Sequence, residues 1–142
     1  MMKYNTKYHG EIEYNEEQVV VFQKGLPGFE SLRKFVMLPV EDNPNFKILH
    51  SIEDNEVGLI CVSPFDINSD YEVELEQSTI DNLKIENPKD VFILSFVTLA
   101  SKVENITVNL AAPVIINNNN RLGEQIILNN EKYKIKYPLL KR

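Results

Sequence analysis

The side chains able to do chemistry fall into a few short clusters. Glu11/Glu13 and Glu72/Glu74/Glu76 repeat with period two, which puts each set on one face of a strand. Paired carboxylates can serve as general acid and base, yet a period-two row is also how a solvated sheet face reads. Asp66-Ile-Asn-Ser-Asp70 imitates the opening of a calcium loop, whose oxygen ligands alternate along the chain. Such a loop needs glycine at its sharp turn and a bidentate glutamate at its end; Tyr71 and Gln77 stand there instead. The segment therefore reads as a polar turn, and no metal site is expected.

The remaining reactive residues are isolated. His9 and His50 are the only histidines, and neither has a second ligand at a usual zinc spacing. His50 is expected to be solvated or hydrogen-bonded. Cys61, the one cysteine, sits in the apolar run 57–62 with no local cation to stabilise a thiolate. It reads as a small buried hydrophobe, and a lone cysteine fits a reducing compartment. No nucleophile with its base is apparent, so no catalytic residue and no cofactor are expected.

Gly25-Leu-Pro-Gly28 has the form of the loop with which some RNA-binding domains clamp a nucleic-acid backbone. Here its interior carries no basic residue, and the 142-residue chain has a formal net charge of -6. A negative surface repels phosphate and anionic lipid, so neither nucleic acid nor membrane is an expected direct partner. The better reading is a rigid turn: Pro27 fixes one φ, and the two glycines supply positive φ. That turn would present Leu26, Phe29 and Glu30, with Phe29 as a plain core residue the competing reading.

These groups must be held by strands. Short runs rich in β-branched and aromatic residues occur at 18–22, 34–38, 46–50, 57–62, 91–99, 106–110, 114–116, 125–128 and 132–137. Each is bounded by Gly, Pro, Asn or Asp, and the last alternates with period two. Ser78 would cap one short helix ending before Pro88, with Asp81 as the capping-box carboxylate. The segment 28–33 would add at most one helical turn. The stretch 41–45 and the four asparagines from Asn117 to Asn120 are turn chemistry. Length and composition fit one domain over residues 1–142. Many short strands at close spacing predict an all-β fold, a small antiparallel β-barrel-like domain with one short helix. The first ten residues are polar, with no apolar segment of a secretion signal, and no stretch reaches the roughly 18 apolar residues of a membrane span. A cytoplasmic location is expected.

Several blocks together resemble one family. Phe22-Gln-Lys-Gly-Leu-Pro-Gly-Phe-Glu30 followed by Phe35-Val-Met-Leu38 is similar to the opening signature of the FliW flagellar assembly factors. The likeness continues through Ile48-Leu-His-Ser51, Ser63-Pro-Phe65 and Asp70-Tyr71. It is sharpest at Thr107-Val-Asn-Leu-Ala-Ala-Pro-Val-Ile-Ile-Asn117, and runs on to Gln125-Ile-Ile-Leu128 and Tyr133. The resemblance implies a small barrel without enzymatic activity and two protein partners. One is flagellin; the other is CsrA, an RNA-binding regulator that represses flagellin translation. It implies that the protein released by flagellin binds CsrA and antagonises it allosterically. For CsrA, a basic partner, the sequence offers an acidic patch of Asp66, Asp70, Glu72, Glu74 and Glu76, with Phe65 and Tyr71 as apolar anchors. The rival reading is a barrel that binds RNA or a small ligand.

Overall fold

A computed structural model describes residues 2–40 and 42–139. Glu41, the first residue of the predicted turn 41–45, lies outside the described residues, as do both ends of the predicted 1–142 domain. Seven strands close into a barrel. In ring order they are β3 (Val19–Phe22), β4 (Lys34–Pro39), β5 (Phe46–Ser51), β6 (Gly58–Val62), β7 (Val91–Thr98), β9 (Val114–Asn117) and β10 (Leu122–Gln125). Six of the seven pairings are antiparallel; β10 meets β3 in parallel. The expected small, largely antiparallel barrel is what forms, with one parallel seam. Directions cannot alternate all the way round a ring with an odd number of strands, so one parallel pair is unavoidable.

The other elements attach to this ring. β1 (Met2–Asn5) and β2 (Glu11–Tyr14) form a separate hairpin. β8 (Thr107–Val108) pairs with β7, and β11 (Tyr137–Pro138) pairs with β8. The barrel interior is packed with Val20, Phe22, Phe35, Leu49, Cys61, Val114 and Ile116, and the Phe22 and Phe35 rings meet edge-on at 5.5 Å. A second cluster holds Val62, Tyr71, Val108, Leu110 and Tyr133. A third, of Ile12, Tyr14 and Val36, lies under the hairpin. Glu11 and Glu13 face solvent on β2, with Lys3 at 3.9 to 4.0 Å, as a solvated sheet face should.

Five local expectations are corrected. Among the described residues there are two short α-helices, where one was expected. α1 (Pro64–Ile67) starts with proline, which loses no helical hydrogen bond at that position. α2 (Gln77–Asn82) begins one residue before the expected cap Ser78, and Glu76 takes the cap position without a side-chain bond. The run 125–128 is a strand only through Gln125. The Ile126 and Leu128 amides donate to the Pro113 and Ala111 carbonyls at 3.0 and 2.7 Å. No amide bonds come back, because Pro113 has none and those of Ala111 and Ala112 donate to Asn109 Oδ1. The alternating run 132–137 is broken by a turn at Asn130, and only Tyr137 joins a ladder. The carboxylate row from Glu72 to Glu76 belongs to no strand, although Glu72, Glu74 and Glu76 do share an exposed face.

The asparagine tract has a structural use. Asn117 Nδ2 donates to the Leu83 and Lys84 carbonyls at 2.9 and 3.2 Å, and Asn120 Nδ2 to Leu83 at 2.9 Å. These amides satisfy carbonyls left open at the end of α2.

Candidate partner-binding groove

The turn after β3 is built as its residue types require. Gly25 has φ +68° and Gly28 φ +86°, and the Phe29 amide donates to the Leu26 carbonyl at 2.7 Å across Pro27. Proline followed by a positive-φ glycine is the signature of a type II turn. The turn presents its residues unequally. Leu26 is 1% exposed and belongs to the barrel core, so it offers no side-chain surface to a partner. Phe29 is half-buried against the same core, and Glu30 is exposed.

The acidic segment also divides. Phe65 is exposed at 44%, on α1, and its ring meets Tyr71 edge-on at 5.6 Å. Tyr71 itself is buried, its ring centroid 4.5 Å from that of Tyr133 with the planes tilted by 49°, and its hydroxyl donates to the Leu110 carbonyl at 2.7 Å. Burial pushes its phenol well above the ordinary range, with the neighbouring Tyr133 adding to the effect. Tyr71 therefore acts as a structural pin, and Phe65 is the exposed aromatic of the pair. Asp66 and Asp70 are exposed around this turn, where the Asp70 amide donates to Asn68 Oδ1 at 3.0 Å.

Glu74 and Glu76 sit elsewhere. They join Glu30 on the walls of a surface groove of about 610 Å³, formed where the turn after β3, the segment before α2 and the end of β10 converge. Two candidate regions some 45 positions apart in sequence are thereby brought to one site. The structure adds two residues that sequence reasoning missed. Glu124, on β10, accepts from Thr79 Oγ1 at 3.2 Å and Asn82 Nδ2 at 3.4 Å, and lies 3.3 Å from Lys24 Nζ. Ile127 lines the groove with 76% of its surface exposed. A signal for Ile127 was present: three consecutive apolar residues, Ile126 to Leu128, cannot all point inward from an extended segment. Glu124 had none, since nothing near it in sequence shows that Lys24 and α2 converge on it.

The isolated reactive groups are structural. Cys61 is fully buried, and loss of solvent pushes its thiol up to about 12. His50 is fully buried, with Nδ1 2.7 Å from the Ser51 carbonyl oxygen and the His9 ring edge-on at 5.6 Å. Among the described residues, no three His, Cys, Asp or Glu side chains gather as metal ligands, and no helix is long and apolar enough to cross a membrane.

The molecule is thus of the class of small closed β-barrels with a packed interior and an acidic groove on the outside. The FliW protein family model matches residues 3–139. The flagellar assembly factor FliW of Clostridium novyi (strain NT) is 60% identical over 140 residues, spanning 99% of this chain and 98% of its own. That of Clostridium kluyveri (strain NBRC 12016) is 57% identical, spanning 99% and 97%. A crystal structure of the flagellar assembly factor FliW superposes with a TM-score of 0.90 at 39% identity, over 99% of this chain and 98% of that one. The chain belongs to the FliW family of flagellar assembly factors.

Proposed function

We propose that the protein is a stoichiometric, non-catalytic partner switch in the cytoplasm. It binds flagellin, and when free of flagellin it binds CsrA and antagonises it away from the RNA-binding surface, which relieves repression of flagellin synthesis. The observation that carries this reading is the concentration of unpaired carboxylates on one side of the barrel. Among the described residues no cation lies within ion-pair distance of Glu30, Glu72, Glu74 or Glu76. Such a surface attracts a basic regulator and disfavours the phosphate backbone that regulator carries. The rival reading of a ligand held inside the barrel is disfavoured by packing, because Phe22, Phe35 and Leu49 fill the interior with no exposure. The test is a competition pull-down in which tagged protein is offered CsrA with and without flagellin. CsrA should be captured alone and displaced by flagellin. Capture of both in one complex contradicts the switch, and tight, salt-sensitive binding of RNA by the protein alone would favour the rival.

A further inference from the structure

The groove has an unfilled strand position along its floor. The Ile126 and Leu128 amides point to the 111–113 segment. In an extended chain successive N–H and C=O groups point to opposite sides, so those of Ile127 point away from that segment. Among the described residues no hydrogen bond reaches either group of Ile127. Across the groove, Glu74 is likewise free of backbone hydrogen bonds in a segment that pairs with no strand. β3 ends at Phe22 and leaves β10 through the turn at Gly25, so among the described residues no strand covers this edge of β10 beyond Gly123. An open edge of this kind is a template for an added strand.

We infer that this groove binds an extended, basic peptide segment of a protein partner by strand addition along Ile127. The chemistry of the segment follows from the walls. Lys24 is already matched by Glu124, which leaves Glu30, Glu74 and Glu76 as uncompensated negative charge. Side chains of an added strand alternate between faces. The segment that fits therefore alternates lysine or arginine, for these carboxylates, with apolar residues that cover the exposed Ile127. The main chain supplies binding through the Ile127 N–H and C=O, and the charges select the sequence. The inference rests on the partner-switch reading for the existence of a protein partner, and on the groove alone for what is recognised.

The test uses the full chain and a capped Lys-Val-Lys-Val-Lys-Val-Lys peptide, with a glutamate-for-lysine peptide as control, followed by backbone amide NMR and hydrogen exchange. The lysine peptide should shift the Ile127 and Glu74 amides saturably and slow exchange at Ile127 by about tenfold or more. Ile127→Pro, which removes the amide, should weaken binding about tenfold, and Ile127→Ser, which keeps it, should stay within about threefold. Glu74→Lys/Glu76→Lys should abolish the preference for the lysine peptide, and this pair guards against misfolding of the proline variant. No saturable shift, equal binding of both peptides, or equal loss in Ile127→Pro and Ile127→Ser overturns the inference. The pull-down separates the two readings: capture of CsrA unaffected by Ile127→Pro leaves the switch standing without the strand, and peptide binding without CsrA capture does the reverse.

Discussion

The Tyr71 hydroxyl donates to the Leu110 carbonyl oxygen at 2.7 Å and so ties the segment entering the acidic row to the chain beyond β8. Both residues are buried. Removing the hydroxyl in Tyr71→Phe leaves a buried carbonyl without this donor and should cost about 1 to 3 kcal/mol of stability. The shift in urea midpoint at neutral pH measures it, and a change under about 0.5 kcal/mol would show that the carbonyl finds another donor.

The turn after β3 ranks its two glycines. A Cβ on Gly28 would meet nothing within 4 Å, so Gly28→Ala bears only the strain of positive φ, about 1 kcal/mol. A Cβ on Gly25 would lie 2.5 Å from the Glu30 carbonyl oxygen, in backbone that cannot swing aside as a side chain would. Gly25→Ala should therefore be the more destabilising, and thermal melts of the two variants give the order directly.

Glu53 sets an acid dependence. Its carboxylate accepts from the Arg33 and Lys34 amides at 2.6 and 2.8 Å, which holds it below the ordinary glutamate range. A depressed folded value means that the stabilisation is present above the unfolded value near 4.5 and fades as pH falls through the lower folded one. Wild type should exceed Glu53→Gln in stability at pH 7, and the gap should narrow as pH falls below the unfolded value near 4.5. A gap that is constant with pH would mean that the charge plays no part.

The Cys61 thiol should resist labelling in the native state. It is fully buried, its ionisation is pushed up to about 12, and Sγ lies 3.4 Å from the Leu59 carbonyl oxygen. Reaction with an aromatic disulfide reagent at pH 8 should proceed only at the rate of global unfolding. Fast labelling without unfolding would indicate local opening of the β5–β6 hairpin.

Reversing charge in Glu72→Lys/Glu74→Lys should weaken capture of CsrA and flatten its dependence on salt, because the long-range attraction is what salt screens. Affinity measured at two ionic strengths checks both effects. Unchanged affinity would remove these carboxylates from the interface.

The sequence announced the barrel strands well where they pack on the core. The runs at 34–38, 46–50 and 91–99 became β4, β5 and β7 with ends moved by only a residue. It failed where hydrogen bonds were diverted by side chains or missing donors. Asn109 and Pro113 stopped the ladder at 125–128, and neither effect is visible in hydrophobic alternation. The hairpin of Met2–Asn5 with Glu11–Tyr14 was only half legible, through the Glu11/Glu13 row. Of the site, the acidic residues could be read as a local cluster, but their division could not. Glu74 and Glu76 face Glu30 only because the turn and β10 meet, a juxtaposition set by long-range pairing. The burial of Leu26 and Tyr71 was equally out of reach, since an apolar turn residue reads the same whether it faces in or out.

The parallel seam has a consequence for biosynthesis. Val21 in β3 is matched with Leu122 in β10, far along the chain from it. On a ribosome, β3 is made before β10 and must wait for its neighbour until the chain through Gln125 has emerged. The ring can then shut only in a late, slow step, because closing so long a loop comes before its contacts can compensate. Nascent chains stalled before residue 122 should consequently be open sheets with β3 as a bare edge, the form most in need of chaperones.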